Sequence, residues 1–288
     1  MKRKYSNIIS LLLFCVIIIS ASPVKNLIDN ININSKVEDS KPTQQEIEMF
    51  NRQVEEDTYY YYNNLNSKQK EAYRTMYISL INFDESFYID VNVDDLKDLF
   101  MAVLYDNSHI FWVESSYTYT EYDNAIMFTP EYRHTPSEAE QITNNLNEKI
   151  EEILASVNLL NSEYEKELYI HNYVCENTEY VEKSDRFIDT AYEALLNGNA
   201  LCEGYARAIQ ILLDAVDIDN YLIVGNGVTE GKVEAHMWNI VTLDNQNYLV
   251  DVTNCDEETI KLLEELYNII PDNWQNPLQF FHAEYTGR

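Results

Sequence analysis

The sequence predicts an α+β protein, in which helices and strands come in separate groups. Apolar residues recur at helical spacing in most of residues 43–106 and 137–177, and we expect amphipathic helices there. Runs rich in aromatic and β-branched residues at 110–132 and 221–253 are instead typical of strands. Groups of helices followed by groups of strands favour the α+β class.

Residues 1–22 have the pattern of a secretory signal peptide. Basic residues at positions 2–4 precede an apolar run from Ile8 to Ile19, and small residues follow it. The run is shorter than a comfortable membrane span. We therefore expect cleavage near Ala21 and a secreted or cell-surface protein. An uncleaved membrane anchor is the alternative interpretation, and only in that case do we expect membrane association.

The chain is strongly acidic, with a formal net charge of -29 at pH 7. A surface of this sign repels phosphate backbones, so we expect no nucleic-acid partner. A surface of this sign attracts basic groups, such as those of basic peptides. The simpler interpretation is a surface whose charge maintains solubility.

Four units are predicted to follow the signal peptide. Residues 23–42 carry Asn, Ser and Lys with few large apolar residues, which is typical of a surface linker. The helices and strands from 43 to 134 make a small N-terminal α+β unit. A long helix over 135–160 then connects this unit to a second domain over 161–288.

Capping-box pairs mark the predicted starts of three helices. In each pair a Ser or Thr is followed three residues later by a Glu that can bond back to the start of the helix. The pairs are Thr43 with Glu46, Ser137 with Glu140, and Ser162 with Glu165.

Cys202 is predicted to lie in the first turn of a buried helix. Gly198 and Asn199 suit a turn before it, and apolar residues recur at helical spacing from Leu201 to Val216. Unpartnered backbone N–H groups and the positive end of the helix dipole favour a thiolate at this position. The same groups can help to hold an oxyanion during acyl transfer. A cysteine at a helix start is alone a weak sign of catalysis, because most free cysteines are core residues.

A histidine and a carboxylate follow on two neighbouring strands. Because strand side chains alternate, His236 and Asp251 share a face when the loop between the strands has an even length. A turn at Asp244-Asn245 would make them diagonal neighbours, and a longer loop would separate them further. The predicted strands are 221–225, 235–243 and 248–253, with a turn at Asn226-Gly227.

These three side chains have the chemistry of a nucleophile, a base and an orienting acid. In this interpretation His236 takes the proton of Cys202 and later protonates a leaving amine. Asp251 fixes the imidazole tautomer and stabilises its charged form. The closely spaced ligand pairs of a zinc site do not accompany Cys202 and His236 in the sequence. We expect no metal and no cofactor.

Three blocks of the sequence resemble the transglutaminase-like superfamily, in the order Cys, His, Asp. The blocks are AYEALLNGNALCEGYARAIQILLDAVDID, AHMWNIV and YLVDVT, and residues 168–255 match best. Upstream, YYYYNNLN and LFMAVLYDNSHIFWV are similar to N-terminal regions of exported bacterial members. The resemblance implies a papain-like core with a Cys202–His236–Asp251 triad. It also implies an enzyme that cross-links, deamidates or hydrolyses amide bonds through a thioester acyl-enzyme.

The residues next to the triad also fit this resemblance. Trp238 and Asn239 match the His-x-Trp-Asn run of the family and are expected to support the histidine strand. For Trp238, packing is favoured over a direct oxyanion contact. Gly204 would permit close packing, and Glu203 has no role that we can derive. Related exported proteins often continue after the acid with a Trp and further acidic residues, which this chain lacks directly after Asp251.

The number of cysteines is compatible with a reactive thiol. Loss of Cys15 with the signal peptide leaves Cys175, Cys202 and Cys255. With an odd number, at least one thiol lacks an intramolecular partner. Cys175 and Cys255 can form a pair or can be two buried free thiols.

The leading hypothesis is an exported cysteine-dependent acyl-transfer enzyme that acts on peptide or protein amide bonds as a protease, a deamidase or a protein cross-linker. Water or an amine can resolve the acyl-enzyme, so the sequence does not separate hydrolysis from transfer. The alternative is a non-catalytic cell-surface binding module that keeps the fold. A deamidating toxin is a third hypothesis.

Overall fold

The computed structural model describes residues 27–56, 59–182, 187–229, 232–253 and 284–285. In the N-terminal part, the helices are α1 (Leu27–Asp39), α2 (Gln44–Glu56), α3 (Tyr60–Asn64), α4 (Ser67–Ile81) and α5 (Val93–Asp106). The strands are β1 (Phe87–Ile89), β2 (Val113–Tyr122) and β3 (Ala125–Tyr132), which form an antiparallel sheet of order β1-β3-β2.

The core of the N-terminal part lies between α5 and this sheet. Phe100 of α5 meets Tyr117 of β2 edge-on and packs against Phe128 of β3. Phe128 in turn packs against Phe87 of β1. Aromatic pairs of this kind contribute both buried area and a preferred geometry, so these contacts fix the helix on the sheet.

Helix α1 corrects the prediction of a surface linker over residues 23–42. Ile33 of this helix is buried, and Lys36 Nζ donates a hydrogen bond to the Tyr88 hydroxyl (3.1 Å). The Tyr88 N–H donates to the Ser40 hydroxyl (2.9 Å), so the segment is held on β1. The polar composition that suggested a linker is compatible with a helix that buries only a narrow face.

The second part contains three helices, a sheet and a short parallel strand pair. The helices are α6 (Pro136–Val157), α7 (Glu163–Asn177) and α8 (Cys202–Asp214). Strands β4 (Glu179–Tyr180) and β5 (Asn199–Ala200) pair in parallel on either side of a π-helical turn, Glu193–Asn197. The sheet contains β6 (Asn220–Thr229), β7 (Lys232–Leu243), β8 (Gln246–Val250) and β9 (Glu284–Tyr285) in the order β8-β7-β6-β9.

Two local predictions differ from the structure in instructive ways. Helix α6 is capped by Thr135 with Glu138, two residues before the predicted pair, because Pro136 is suited to the first helical position. Strand β6 continues through Asn226-Gly227, which was predicted as a turn, because β7 pairs with it along its whole length. The predicted capping box of α7 is confirmed: Ser162 and Glu165 make both of its hydrogen bonds.

Helix α8 joins the two parts of the structure. It contacts β6, β7 and α7, and its residues Ala208, Ile209 and Leu212 belong to the core of the second part. The hydrophobic core of the N-terminal part also includes Cys202 and Ala206 of the same helix. The N-terminal part and the first turns of α8 therefore share one core.

Several sequence predictions concern residues outside the described ranges. They include the signal peptide over 1–22 and the two cysteines Cys15 and Cys255. Cys175 is disulfide-bonded, which removes the alternative of a free thiol at that position. Among the helices that the structure describes, none has both the length and the apolar content needed to cross a membrane.

Candidate active site

Cys202 is the first residue of α8, as predicted. The preceding residue, Leu201, has an extended backbone, and its N–H donates to the Ile188 carbonyl (2.8 Å). Gly204 allows the segment that contains Ile188 to approach, because a Cβ at this position would lie 2.5 Å from the Ile188 oxygen. Cys202 is a free thiol and is buried. The fold therefore holds the sulfur at the start of a helix, beneath a closely packed segment.

His236 and Asp251 are brought together by the β7–β8 hairpin. Leu243 pairs with Gln246, so the turn consists of Asp244 and Asn245, which have φ values of 51° and 61°. This two-residue turn makes His236 and Asp251 diagonal neighbours, as the parity argument required. His236 Nε2 lies 2.7 Å from Asp251 Oδ2.

Asp251 lies directly after β8 and not within a strand as predicted. Its Oδ2 contacts His236, and its Oδ1 accepts a hydrogen bond from the Thr253 N–H (3.1 Å). Both carboxylate oxygens are therefore occupied. This arrangement orients the carboxylate plane toward the imidazole.

The environment strongly favours the charged forms of His236 and Asp251. Burial lowers the pKa of His236, but hydrogen bonds to Asp251 and Cys202 outweigh it and raise the pKa to about 10. Burial acts to raise the pKa of Asp251, but hydrogen bonds to His236 and Thr253 outweigh it and lower the pKa. An imidazolium between a carboxylate and the sulfur is thus the stable arrangement near neutral pH.

Each ring nitrogen of His236 has a separate partner. Nε2 contacts Asp251, so Nδ1 is the nitrogen left for the hydrogen bond with Cys202. A histidine placed in this way can exchange a proton with the sulfur while the carboxylate holds its other nitrogen. The structure therefore brings together all three residues that the sequence singled out.

Neighbouring residues fix the position of the histidine strand. The Trp238 ring is stacked near the His236 ring, with centroids 5.9 Å apart, and is buried with Ile223 and Ile240. Asn239 Nδ2 donates to the Ala206 carbonyl of α8 (3.0 Å), which ties β7 to the cysteine helix. These contacts agree with the supporting roles expected for Trp238 and Asn239.

Sequence reasoning missed a set of buried and half-buried ionisable side chains near the start of α8 and the triad. Glu203, for which we derived no role, pairs with Arg207 (2.9 Å between Oε1 and Nη2). Arg133, which follows β3, makes a bidentate pair with Asp189. His171 of α7 is also buried; burial lowers its pKa to about 4, and the charge of Asp251 opposes this shift. The partners are far apart in sequence, apart from the i,i+4 spacing of Glu203 and Arg207, which could have been noticed.

No metal-binding cluster was found in the described part of the chain. Groups of three or more His, Cys, Asp or Glu side chains that could hold an ion are absent from those residues.

Comparisons with known proteins bear on the second part of the chain. A family model described as the transglutaminase-like superfamily matches residues 138–251. No curated protein matches the chain. The match supports a protein of the cysteine-enzyme class in general. The matched residues include Cys202, His236 and Asp251.

Solved structures with limited similarity were also found. A candidate cysteine protease from Cytophaga hutchinsonii is 15% identical, with a TM-score of 0.33, over 47% of this chain and 53% of that protein. A protein described as a TGase is 14% identical, with a TM-score of 0.34, over 59% of this chain and 51% of that protein. A candidate protease from Parabacteroides distasonis is 14% identical, with a TM-score of 0.30, over 44% of this chain and 28% of that protein.

This chain thus spans about half or less of the length of these solved structures. The predicted α+β class with a papain-like, transglutaminase-like core is confirmed by the family match and by the mixed helices and sheets of the structure. Over residues 138–251, this chain is similar to the transglutaminase-like superfamily.

Proposed function

We propose that this protein is a cysteine-dependent acyl-transfer enzyme that acts on peptide or protein amide bonds. The observation that carries the proposal is the position of His236, hydrogen-bonded to Asp251 on one side and to Cys202 on the other. Cys202 acts as the nucleophile, His236 as the general acid and base, and Asp251 as the orienting acid.

In the acylation step, Cys202 gives its proton to His236, which leaves a thiolate beside the imidazolium. The Cys202 thiolate attacks the carbonyl carbon of the amide, and the carbonyl electrons move onto its oxygen. The first N–H groups of a helix have no carbonyl partner within the helix, so the turn that begins at Cys202 offers donors to this oxyanion. His236 then gives its proton to the leaving nitrogen as the C–N bond breaks. The products of this step are an amine and a thioester on Cys202.

The second step regenerates the thiolate. Water or a primary amine attacks the thioester carbonyl, and neutral His236 takes the proton of the incoming nucleophile. The C–S bond breaks, and its electrons return to the sulfur. Attack by water gives hydrolysis or deamidation, whereas attack by an amine gives a cross-link. Asp251 stabilises the imidazolium that forms again at the end of the cycle.

The proposed substrates are peptide and protein amides. The acidic composition of the chain is compatible with substrates that carry basic segments. Export to the cell surface or beyond, which residues 1–22 suggest, is part of the same proposal.

One incubation separates the possible reactions. The protein is mixed with glutamine-containing peptides and a labelled primary amine, and the products are analysed by mass spectrometry. Amine incorporation indicates transfer, conversion of Gln to Glu indicates deamidation, and shortened peptides indicate proteolysis. Cys202→Ala is the matched control and should abolish all three. Activity that survives this substitution, or no product from any peptide, would count against the proposal.

The alternative of a non-catalytic binding module predicts a different result for the same control variant. Cys202→Ala would then keep the full biological effect of the wild type. A loss of that effect together with the loss of turnover favours the enzyme. The enzyme is favoured over a binding module because all three triad residues are present and His236 is hydrogen-bonded to both of the others.

A further inference from the structure

The N-terminal part contacts the segment next to the start of α8 through a partly buried ion pair. Arg133 follows β3, and its guanidinium donates to both carboxylate oxygens of Asp189 (2.8 and 2.5 Å). Its Nε also lies 3.1 Å from Glu114 Oε2, as an ion pair. The Arg133 side chain is only 6% exposed, against 28% for Asp189. A fork-to-fork pair of this kind fixes both partners in one geometry.

Asp189 belongs to a segment that contacts the start of α8 directly. The preceding residue, Ile188, accepts the hydrogen bond of the Leu201 N–H, and Leu201 adjoins Cys202. The same carbonyl stands where a side chain on Gly204 would have to be. A displacement of this segment therefore acts on the residues on both sides of Cys202.

A second set of contacts joins α8 to α5 of the N-terminal part. Arg207 Nη1 donates to the Leu104 carbonyl (2.8 Å), and Gln210 Nε2 donates to the Tyr105 carbonyl (2.9 Å). These carbonyls lie in the last turn of α5, where helices lack internal donors. These hydrogen bonds fix α8 on the N-terminal part. The Arg133–Asp189 pair fixes the position of the segment around Ile188, which packs against the first turn of α8.

We propose that Arg133 and Asp189 are positioning residues that set the reactivity of Cys202. The N-terminal part, which supplies Arg133, then contributes to the reactivity of the site. The inference rests on the proposed function, because positioning matters only for a reactive thiol. The effect of Arg133 and Asp189 passes through Ile188 to the backbone at Leu201, and so to the alignment of Cys202 with His236.

The test measures alkylation of Cys202 by iodoacetamide between pH 5 and 10. Labelling is followed on the tryptic peptide that ends at Arg207, which reports this cysteine alone. The variants are Arg133→Met, Asp189→Asn and the double variant. Arg133→Lys keeps the charge but cannot form the bidentate pair. Arg74→Met is the matched control, because Arg74 lies in the same N-terminal part and bonds to the Tyr62 hydroxyl.

We expect both single variants to slow alkylation at pH 7 by about tenfold, since small displacements of a reacting group have large effects on rate. The double variant should be no slower than the slower single variant, because both changes break the same contact. Arg133→Lys should restore only part of the rate. Arg74→Met should leave both the rate and its pH dependence unchanged.

A purely structural role would lower the unfolding temperature without moving the pH profile of alkylation. That result, or effects of the two single changes that multiply, would overturn the proposal. Each variant is assayed below its own unfolding temperature. If Arg133→Met does not fold, the test relies on Asp189→Asn, because Asp189 is partly exposed and its substitution should be better tolerated. Because alkylation needs no substrate, an absence of amide turnover in the wild type would reject the proposed function without deciding this one.

Discussion

His236 of β7 and Asp251, the residue after β8, are diagonal neighbours in the β7–β8 hairpin, with 2.7 Å between Nε2 and Oδ2. The two strands are joined by a two-residue turn. The His236–Asp251 contact depends on the even number of residues in that turn. One residue more or fewer would shift the register of β8 by one residue and turn its side chains to the other face of the sheet. The backbone of Asp244 and Asn245 thus determines whether the site exists.

Asp251→Asn should lower kcat/KM by about 100-fold to 10,000-fold, because the amide no longer stabilises the imidazolium or fixes its tautomer. The pKa of His236, raised to about 10 in the wild type, should fall. Loss of activity on the basic side should then occur at lower pH. The measurement is kcat/KM from pH 6 to 11 with a peptide found in the amine-incorporation assay.

Asp244→Asn is the control for this experiment, since it makes the same chemical change in the turn of the same hairpin. Asn also tolerates the positive φ of this position. Its profile should match that of the wild type. If Asp251→Asn had an unshifted basic limb, the carboxylate would not be what raises the pKa of His236.

Gly227→Ala should slow the alkylation of Cys202 while changing the free energy of unfolding only slightly. A Cβ at this position would lie 3.2 Å from His236 Cβ and 3.4 Å from Cγ, so the imidazole must move by a few tenths of an ångström. Replacing Gly in a strand also lowers the entropy of the unfolded chain, which offsets part of the strain. We expect slower Cys202 alkylation by about tenfold, with a change of less than about 1 kcal/mol in the free energy of unfolding.

Alkylation kinetics and urea unfolding on the same protein sample check this prediction. A proportional loss of both properties would mean that the substitution disrupts the sheet and not the position of His236. An unchanged alkylation rate would mean that the imidazole has room to move without losing its contact with Cys202.

The turn itself supplies a prediction about register. Asn245 is exposed and has a φ of 61°, which β-branched residues adopt only with strain. Asn245→Val should destabilise the protein by about 1–2 kcal/mol and slow alkylation, whereas Asn245→Gly should preserve both. Gln246→Val, one residue later in β8, is the control and should be tolerated. Equal behaviour of the two valine variants in urea unfolding would contradict the prediction.

The triad could be predicted from sequence because its geometry follows from local rules. A helix start places Cys202, and strand alternation with an even turn places His236 beside Asp251. The buried charges could not be found in this way. Arg133 meets Asp189 only after the N-terminal part folds against the second part, and no sequence period links the two residues. The same holds for Asn226-Gly227, where pairing with β7 overrides a local turn preference.

Helix α1 shows a related limit of sequence reasoning. Its polar residues match the composition of a linker, and two of the hydrogen bonds that hold it join Tyr88 to Lys36 and to Ser40. Such contacts depend on the position of Tyr88 in β1. Local composition therefore describes the exposed face of this helix and contains little information about the narrow face that packs.

Asp106 provides a prediction about stability that is independent of the active site. Its buried carboxylate accepts hydrogen bonds from the N–H groups of Tyr61 (3.0 Å) and Tyr62 (2.8 Å) and from the Tyr73 hydroxyl (3.0 Å). Burial outweighs these bonds and raises the pKa of Asp106 from 3.8 to about 7. The carboxyl group thus holds α3 against the end of α5, but at the cost of burying a group that ionises near neutral pH.

The sign of the pH effect follows from proton binding. Between about pH 4 and pH 7 the folded protein retains a proton on Asp106 that the unfolded chain has released. This stabilising contribution is complete below about pH 4 and is lost as the pH rises through about 7. One proton gives a slope of at most about 1.4 kcal/mol per pH unit.

Asp106→Asn should therefore flatten the dependence of the free energy of unfolding on pH between 4 and 8, although it lowers stability at the acidic end. The amide offers one oxygen where the carboxyl group offers two, so one of the tyrosine N–H groups loses its acceptor. Urea unfolding at half-unit steps of pH, with Asp90→Asn at an exposed site as the control, measures the difference in slope. Parallel curves for the wild type and Asp106→Asn would show that Asp106 does not titrate in this window.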